Sequence, residues 1–84
     1  MIEQQIGILA GNHQIFCDLV RKLQLKNSEC VYVHDPANFM GRWFDRLIIT
    51  CLFWQRKDAG ELFKATIIRL KPGMREEYIK CCEE

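Results

Sequence analysis

The sequence predicts an α/β fold: one domain over residues 1–84, with a small, mainly parallel three-stranded sheet and flanking helices in a Rossmann-like or half-flavodoxin topology. Three observations carry this expectation. Leu47-Ile48-Ile49-Thr50-Cys51-Leu52-Phe53-Trp54 is the long apolar run of the chain, bounded by Asp45-Arg46 and Gln55-Arg56-Lys57-Asp58. A strand-length run without polar alternation reads as a strand buried on both faces, the usual state of a central parallel strand. Ile6–Ala10 is a shorter run of the same kind, and Cys30–His34 is β-branched and aromatic enough for another strand. A helical pattern separates these last two, so the unit is β-α-β, for which parallel pairing with a right-handed crossover is strongly favoured. The Ile6–Ala10 strand is expected between the other two.

Each element has a local cause. The first strand stops at Gly11-Asn12, a turn residue followed by a helix N-cap. Ile15, Phe16, Leu19, Val20 and Leu23 then recur at the spacing of one buried helical stripe, which places a helix over His13–Leu25. Lys26-Asn27-Ser28-Glu29 is a polar turn, and Asp35-Pro36 closes the second strand. Ala37–Phe44 has room for one helical turn capped at Gly41. Asp58-Ala59-Gly60-Glu61 has capping-box spacing and opens a helix through Leu62, Phe63, Thr66, Ile67 and Leu70; a strand over Ala65–Leu70 is the alternative. After Lys71-Pro72-Gly73, the residues Met74, Tyr78, Cys81 and Cys82 give a narrow apolar stripe on a short last helix.

The hydrophobic fraction of 49% and charged fraction of 27% are those of a folded domain rather than a disordered chain. No stretch approaches the roughly 20 apolar residues of a membrane span, and the start lacks a secretory pattern, so a cytoplasmic location without membrane contact is expected. In that setting the five cysteines read as reduced, small hydrophobic residues. The net charge of +1 conceals a basic middle, Arg42 to Arg75, and an acidic tail that includes Glu76, Glu77, Glu83 and Glu84. The two readings are a nucleic-acid surface and, with more weight, solvated faces with a tail that complements its own domain.

Ile8-Leu9-Ala10-Gly11-Asn12 with Phe16, Tyr32-Val33 before Asp35-Pro36, Gly41-Arg42 and Phe44-Asp45-Arg46 leading into Ile48-Ile49, and Phe53-Trp54-x-Arg56-x-Asp58-Ala59-x-Glu61-Leu62 together resemble small phage-encoded α/β proteins of unassigned function. The resemblance covers roughly residues 6–70 and implies a reduced nucleotide-binding or helicase-type β-α-β core, with no reaction attached. One departure is Thr50-Cys51-Leu52, where such proteins place a glycine, which removes room for a ligand close to the backbone.

Parallel sheets bind ligands at the carboxyl ends of their strands, where neighbouring connections diverge. That rule gathers Asn12, His13, His34, Asp35, Trp54 and Arg56 on one edge. Free amides at the helix start, the Arg56 cation and the Trp54 ring would suit a nucleotide or phosphate. Against this, Gly11 stands alone, without P-loop or dinucleotide spacing, and the bland reading makes Asn12 and Asp58 N-caps and Arg56 a surface residue. His13, His34, Asp35 and Asp58 are of metal-ligand and acid–base type, but their spacing specifies neither role, so no catalytic residue, metal or cofactor is assigned. Phe39, Trp43 and Trp54 are candidates for a partner surface, with a lid over the domain's own core as the equal alternative for Phe39, Trp43 and Phe44. The expectation is a non-enzymatic phage or prophage accessory protein that binds a host protein, for example to inhibit a defence or transcription complex. A nucleotide- or nucleic-acid-binding remnant of an NTPase fold is the alternative, and homodimerisation is open.

Overall fold

The computed structural model describes residues 5–34, 39 and 41–79. Along the chain these form β1 (Ile6–Leu9), α1 (His13–Lys22), β2 (Cys30–Tyr32), β3 (Arg46–Ile49), α2 (Ala59–Ile67) and β4 (Glu76–Tyr78). The strands make one sheet in the order β2-β1-β3-β4, with every pairing parallel. As expected, β1 lies between the strands that follow it, with Ile8 opposite Tyr32 on one side and Ile48 on the other.

Strand alternation sorts the core into two halves. Ile6, Ile8 and Ile48 point to one face, where Ile15, Leu19 and Val20 of α1 cover them. Leu9, Leu47 and Ile49 point to the other, where they meet Ala59 and Leu62 of α2 together with Phe39, Phe44 and Phe53. The helices therefore lie on opposite faces, and β1, whose every residue is buried, carries no polar alternation because both of its faces are covered. Among the described residues no helix is long and apolar enough to cross a membrane.

Helix α1 begins as its sequence predicts: the Asn12 side chain accepts the Ile15 N–H at 3.0 Å, satisfying one of the donors a helix start leaves free. It ends sooner than the apolar spacing suggests. Gln24 takes a left-handed conformation (φ 56°), its N–H reaches the Arg21 carbonyl, and the Leu25 N–H reaches that of Val20. This is a Schellman motif, with Leu25 packed on the same core as Val20.

Three expectations need correction. The apolar run from Leu47 is a strand only to Ile49. Leu52 has φ 65°, and Phe53–Gln55 is a turn of 3-10 helix with Phe53 buried, so the run stays apolar because its second half turns back over the core. Among the described residues the sheet has four strands rather than three. Glu76–Tyr78, expected in a helix, pairs with β3 along Leu47, Ile48 and Ile49; its polar, half-exposed character is that of an edge strand, which the apolar stripe of the tail conceals. Finally, Cys17 and Cys30 are free, but Cys51 is disulfide-bonded. Cysteine spacing does not say which sulfurs the fold brings together. The helix-or-strand alternative resolves in favour of the helix, which ends at Ile67; a strand over Ala65–Leu70 does not form, and Leu70 makes only an isolated parallel bridge to Phe44.

Candidate functional site at the carboxyl edge of the sheet

The loops after β1, β2 and β3 do converge, and Arg56 joins them. Its Nε and Nη2 donate to the two carboxylate oxygens of Asp58 at 2.8 and 3.0 Å. Nη1 donates to the Ala10 carbonyl just beyond β1 at 3.3 Å and to the Tyr32 hydroxyl at the end of β2 at 3.2 Å. Nη2 also donates to the His34 carbonyl at 3.4 Å. A guanidinium has five N–H donors, and these contacts account for all of them. The Arg56 side chain is only 18% exposed. Its hydrogen bonds to Asp58 raise the guanidinium above its ordinary value, while the same bonds hold the Asp58 carboxyl below the usual carboxylate range.

Asp58 is therefore a partner of Arg56 and makes no side-chain hydrogen bond that caps α2; the capping-box expectation fails because the guanidinium two residues earlier takes both carboxylate oxygens. Nor is Arg56 an exposed surface residue: its side chain is mostly covered, and each of its donors has an acceptor within the chain.

The crevice between the β1 and β3 loops is closed as well. The Thr50 N–H donates to the Leu9 carbonyl at 2.9 Å and the Gly11 N–H to the Cys51 carbonyl at 3.1 Å. A Cβ on Gly11 would lie 2.5 Å from the Leu52 Cβ and 3.0 Å from its backbone. Gly11 thus serves the close approach of two loops of the same chain rather than of a phosphate. Leu52 fills that space.

Around this staple the expected residues separate. Asn12 caps α1. His13 and His34 both pack on Tyr32, at ring-centroid distances of 5.6 and 4.8 Å, and Phe16 stacks on the same ring at 5.3 Å. Asp35 lies outside the described residues. Among those that are described, no group of three or more His, Cys, Asp or Glu side chains is placed to hold a metal. Trp54 rests edge-on against Phe53 and tilted against Phe63 and is 51% exposed; Leu52 beside it is 48% exposed.

The partner surface expected from Phe39, Trp43 and Trp54 does not form one patch. Phe39 is buried against Phe44, so it belongs to the core. Trp43 is exposed but precedes β3, whereas Trp54 follows it, which puts them at opposite ends of the strand.

Sequence reasoning missed Tyr32 and Leu52. A tyrosine closing an edge strand and an Arg-x-Asp pair following a central one were the signals available for the staple; nothing in the residue types announces that Leu52 is left-handed. At the far side of the sheet, Arg46 and Glu77 form a bidentate pair across β3 and β4 at 2.9 and 3.0 Å, and Lys71 meets Asp45 at 2.7 Å. Part of the basic middle is thus matched within the domain, once by an acidic residue close to the tail. No protein-family model matches the chain, and neither a characterised protein nor a solved structure shows significant similarity to it.

Proposed function

We propose that the chain is a protein-binding module that presents Leu52 and Trp54 from a rigid carboxyl edge and carries out no chemistry of its own. This is the accessory-protein reading, in which a small phage-encoded chain binds a host protein; the phage setting rests on the resemblance of the sequence motifs alone. The observation that carries the binding reading is the use of Arg56. With its donors consumed and the crevice over Gly11 filled by Leu52, the edge offers an anion neither a free guanidinium nor space. What it does turn outward is a half-exposed tryptophan and a half-exposed leucine, and tryptophan is prominent among the residues that anchor protein interfaces. The strand order, with a helix on each face, supports the Rossmann-like or half-flavodoxin arrangement as the finer description of the fold.

Leu52 adds a further indication. A left-handed conformation costs a non-glycine residue about 1–2 kcal/mol, and such strain tends to persist where the residue serves a function. The test uses three baits, the natural chain, Trp54→Ala and Leu52→Gly, for capture from host lysate and for thermal melting. The expected result is one stoichiometric partner held by the natural chain and lost by both variants, with neither melting more than a few degrees lower. A partner that both variants retain would sink the assignment to this edge. Stabilisation of the natural chain by millimolar ATP or GTP would favour the nucleotide reading, and a concentration-dependent mass in sedimentation would make the partner a second copy.

A further inference from the structure

Beside β2, one of the two edge strands of the described sheet, lies a surface groove of about 520 Å³ whose lining includes His13, Phe16, Cys17, Cys30, Tyr32 and Arg42. That volume is in the range of small-molecule sites, and the groove holds two free thiols. They are not equivalent. The Sγ of Cys17 lies 3.6 Å from Nδ1 and 3.9 Å from Nε2 of His13, one helical turn earlier on α1. In the tautomer that carries its proton on Nε2, Nδ1 accepts from the thiol. The imidazole is held in place by Phe16 at 5.7 Å and Tyr32 at 5.6 Å, and Arg56 fixes the Tyr32 hydroxyl in turn. Among the described residues Cys30 has no such base. Burial pushes its thiol up and the Glu29 charge pushes the same way, with Arg46 opposing.

We propose that Cys17, with His13 as its base, is a thiol-modification site for small disulfides that bear carboxylates. In the step, Nδ1 of His13 takes the Sγ proton and the thiolate attacks one sulfur of the disulfide. The disulfide bond breaks as the new Cys17 Sγ–S bond forms, and the departing thiolate takes the proton from the imidazolium. The incoming disulfide is the oxidant, so no other is needed. Arg42, exposed and donating one Nη1 hydrogen bond to Gln5 at 3.1 Å, lines the groove and supplies the cation for the carboxylates.

The probes are glutathione disulfide and the uncharged 2-hydroxyethyl disulfide, followed by peptide-mapped mass spectrometry of the whole chain from pH 6 to 9. The expected result is modification of Cys17 at least about tenfold faster than of Cys30 at pH 7, because His13 stands beside the Cys17 sulfur to take its proton as it attacks, whereas burial raises the Cys30 thiol. His13→Gln, with unchanged melting, should lower the Cys17 rate by about tenfold at pH 7 and make it rise more steeply with pH, because solvent must then take the proton that the imidazole accepts. Arg42→Gln should slow glutathione disulfide and leave the uncharged probe unaffected. Equal or faster reaction at Cys30, or a Cys17 rate and pH profile unchanged in His13→Gln, overturns the site. Equal slowing of both probes by Arg42→Gln overturns the preference for carboxylates.

Discussion

Replacing Arg56 by alanine tests the staple directly. The substitution leaves the Ala10 carbonyl, the Tyr32 hydroxyl and the Asp58 carboxylate without their donor. The contacts to Ala10 and Tyr32, at 3.3 and 3.2 Å in part-buried surroundings, are each worth about 1 kcal/mol net. The His34 contact is long and exposed and is assigned nothing. Asp58 is 41% exposed, so its pair with Arg56 is discounted to at most about 1 kcal/mol. The total is a loss of about 2–3 kcal/mol from a stability of the order of 5–15. For a domain of this size that lowers Tm by roughly 10–20 °C, which a circular dichroism melt or a urea titration reads easily.

Arg56→Lys separates charge from geometry. An ammonium keeps the cation but has three donors on one point, so it should recover less than half of the loss. Tyr32→Phe supplies a coupling check: combined with Arg56→Ala it should cost less than the sum of the separate losses, because the two share a contact. Acid provides an independent reading. Asp58 is held below its ordinary value chiefly by the hydrogen bonds from Arg56. A depressed carboxylate contributes its stabilisation above its unfolded value, near 3.9, and loses it as pH falls through the lower folded one. The gap between the natural chain and Arg56→Ala should therefore be full at pH 7 and narrow below about pH 4. If Arg56→Ala melts with the natural chain, or Arg56→Lys restores it completely, the donor accounting fails and Arg56 is available for a ligand after all.

Gln24→Gly should raise stability by about 0.5–1 kcal/mol in a urea titration, because Gln24 occupies the left-handed position of a Schellman motif that glycine adopts without steric cost. Gly11→Ala should lower it by about 1–3 kcal/mol, since the new methyl would sit 2.5 Å from the Leu52 Cβ and the two loops must separate; an unchanged melt would mean that the crevice has room. Glu77 and Asp45 are held low chiefly by hydrogen bonds from Arg46 and Lys71 respectively, so the chain should lose stability progressively below about pH 4.5. Glu77→Gln should flatten that acid limb, as measured by melts from pH 3 to 7.

What the sequence made legible follows from what patterns record. Apolar spacing reports burial, so the β1-α1-β2 unit, the central place of β1 and the Asn12 cap could all be read from residue types. The topological rule for parallel sheets then placed Asn12, His34, Trp54 and Arg56 at one edge, although they are far apart in the chain. Burial does not distinguish a strand from a turn folded over the same core, which is why the Leu47–Trp54 run reads as one element although Leu52 bends it back. Nor does it reveal an edge strand as polar as Glu76-Glu77-Tyr78, whose identity comes from the open side of β3 and from the Arg46–Glu77 pair. Residue types near a site suggest what could bind there. They do not say which donors are already satisfied within the chain, and that decides the role of Arg56.

The closing of the edge has a physical basis in size. A chain of 84 residues buries a smaller share of its surface than a longer one, and three loops with polar backbone ends meet where the sheet stops. Left apart, they would form the ligand crevice usual for parallel sheets. Here one guanidinium satisfies the ends of two strands and a neighbouring carboxylate, and one leucine fills the gap between β1 and β3. A group used in this way cannot serve a ligand without releasing its structural partners, so anion binding at Arg56 would have to exceed the stability it removes. An apolar contact on Leu52 and Trp54 carries no such penalty, because both side chains already face solvent and the backbone beneath them is fixed. Fixing that backbone in advance also lowers the ordering cost of association. Stability and protein binding therefore favour the same arrangement of this edge, while stability and nucleotide binding compete for the same arginine.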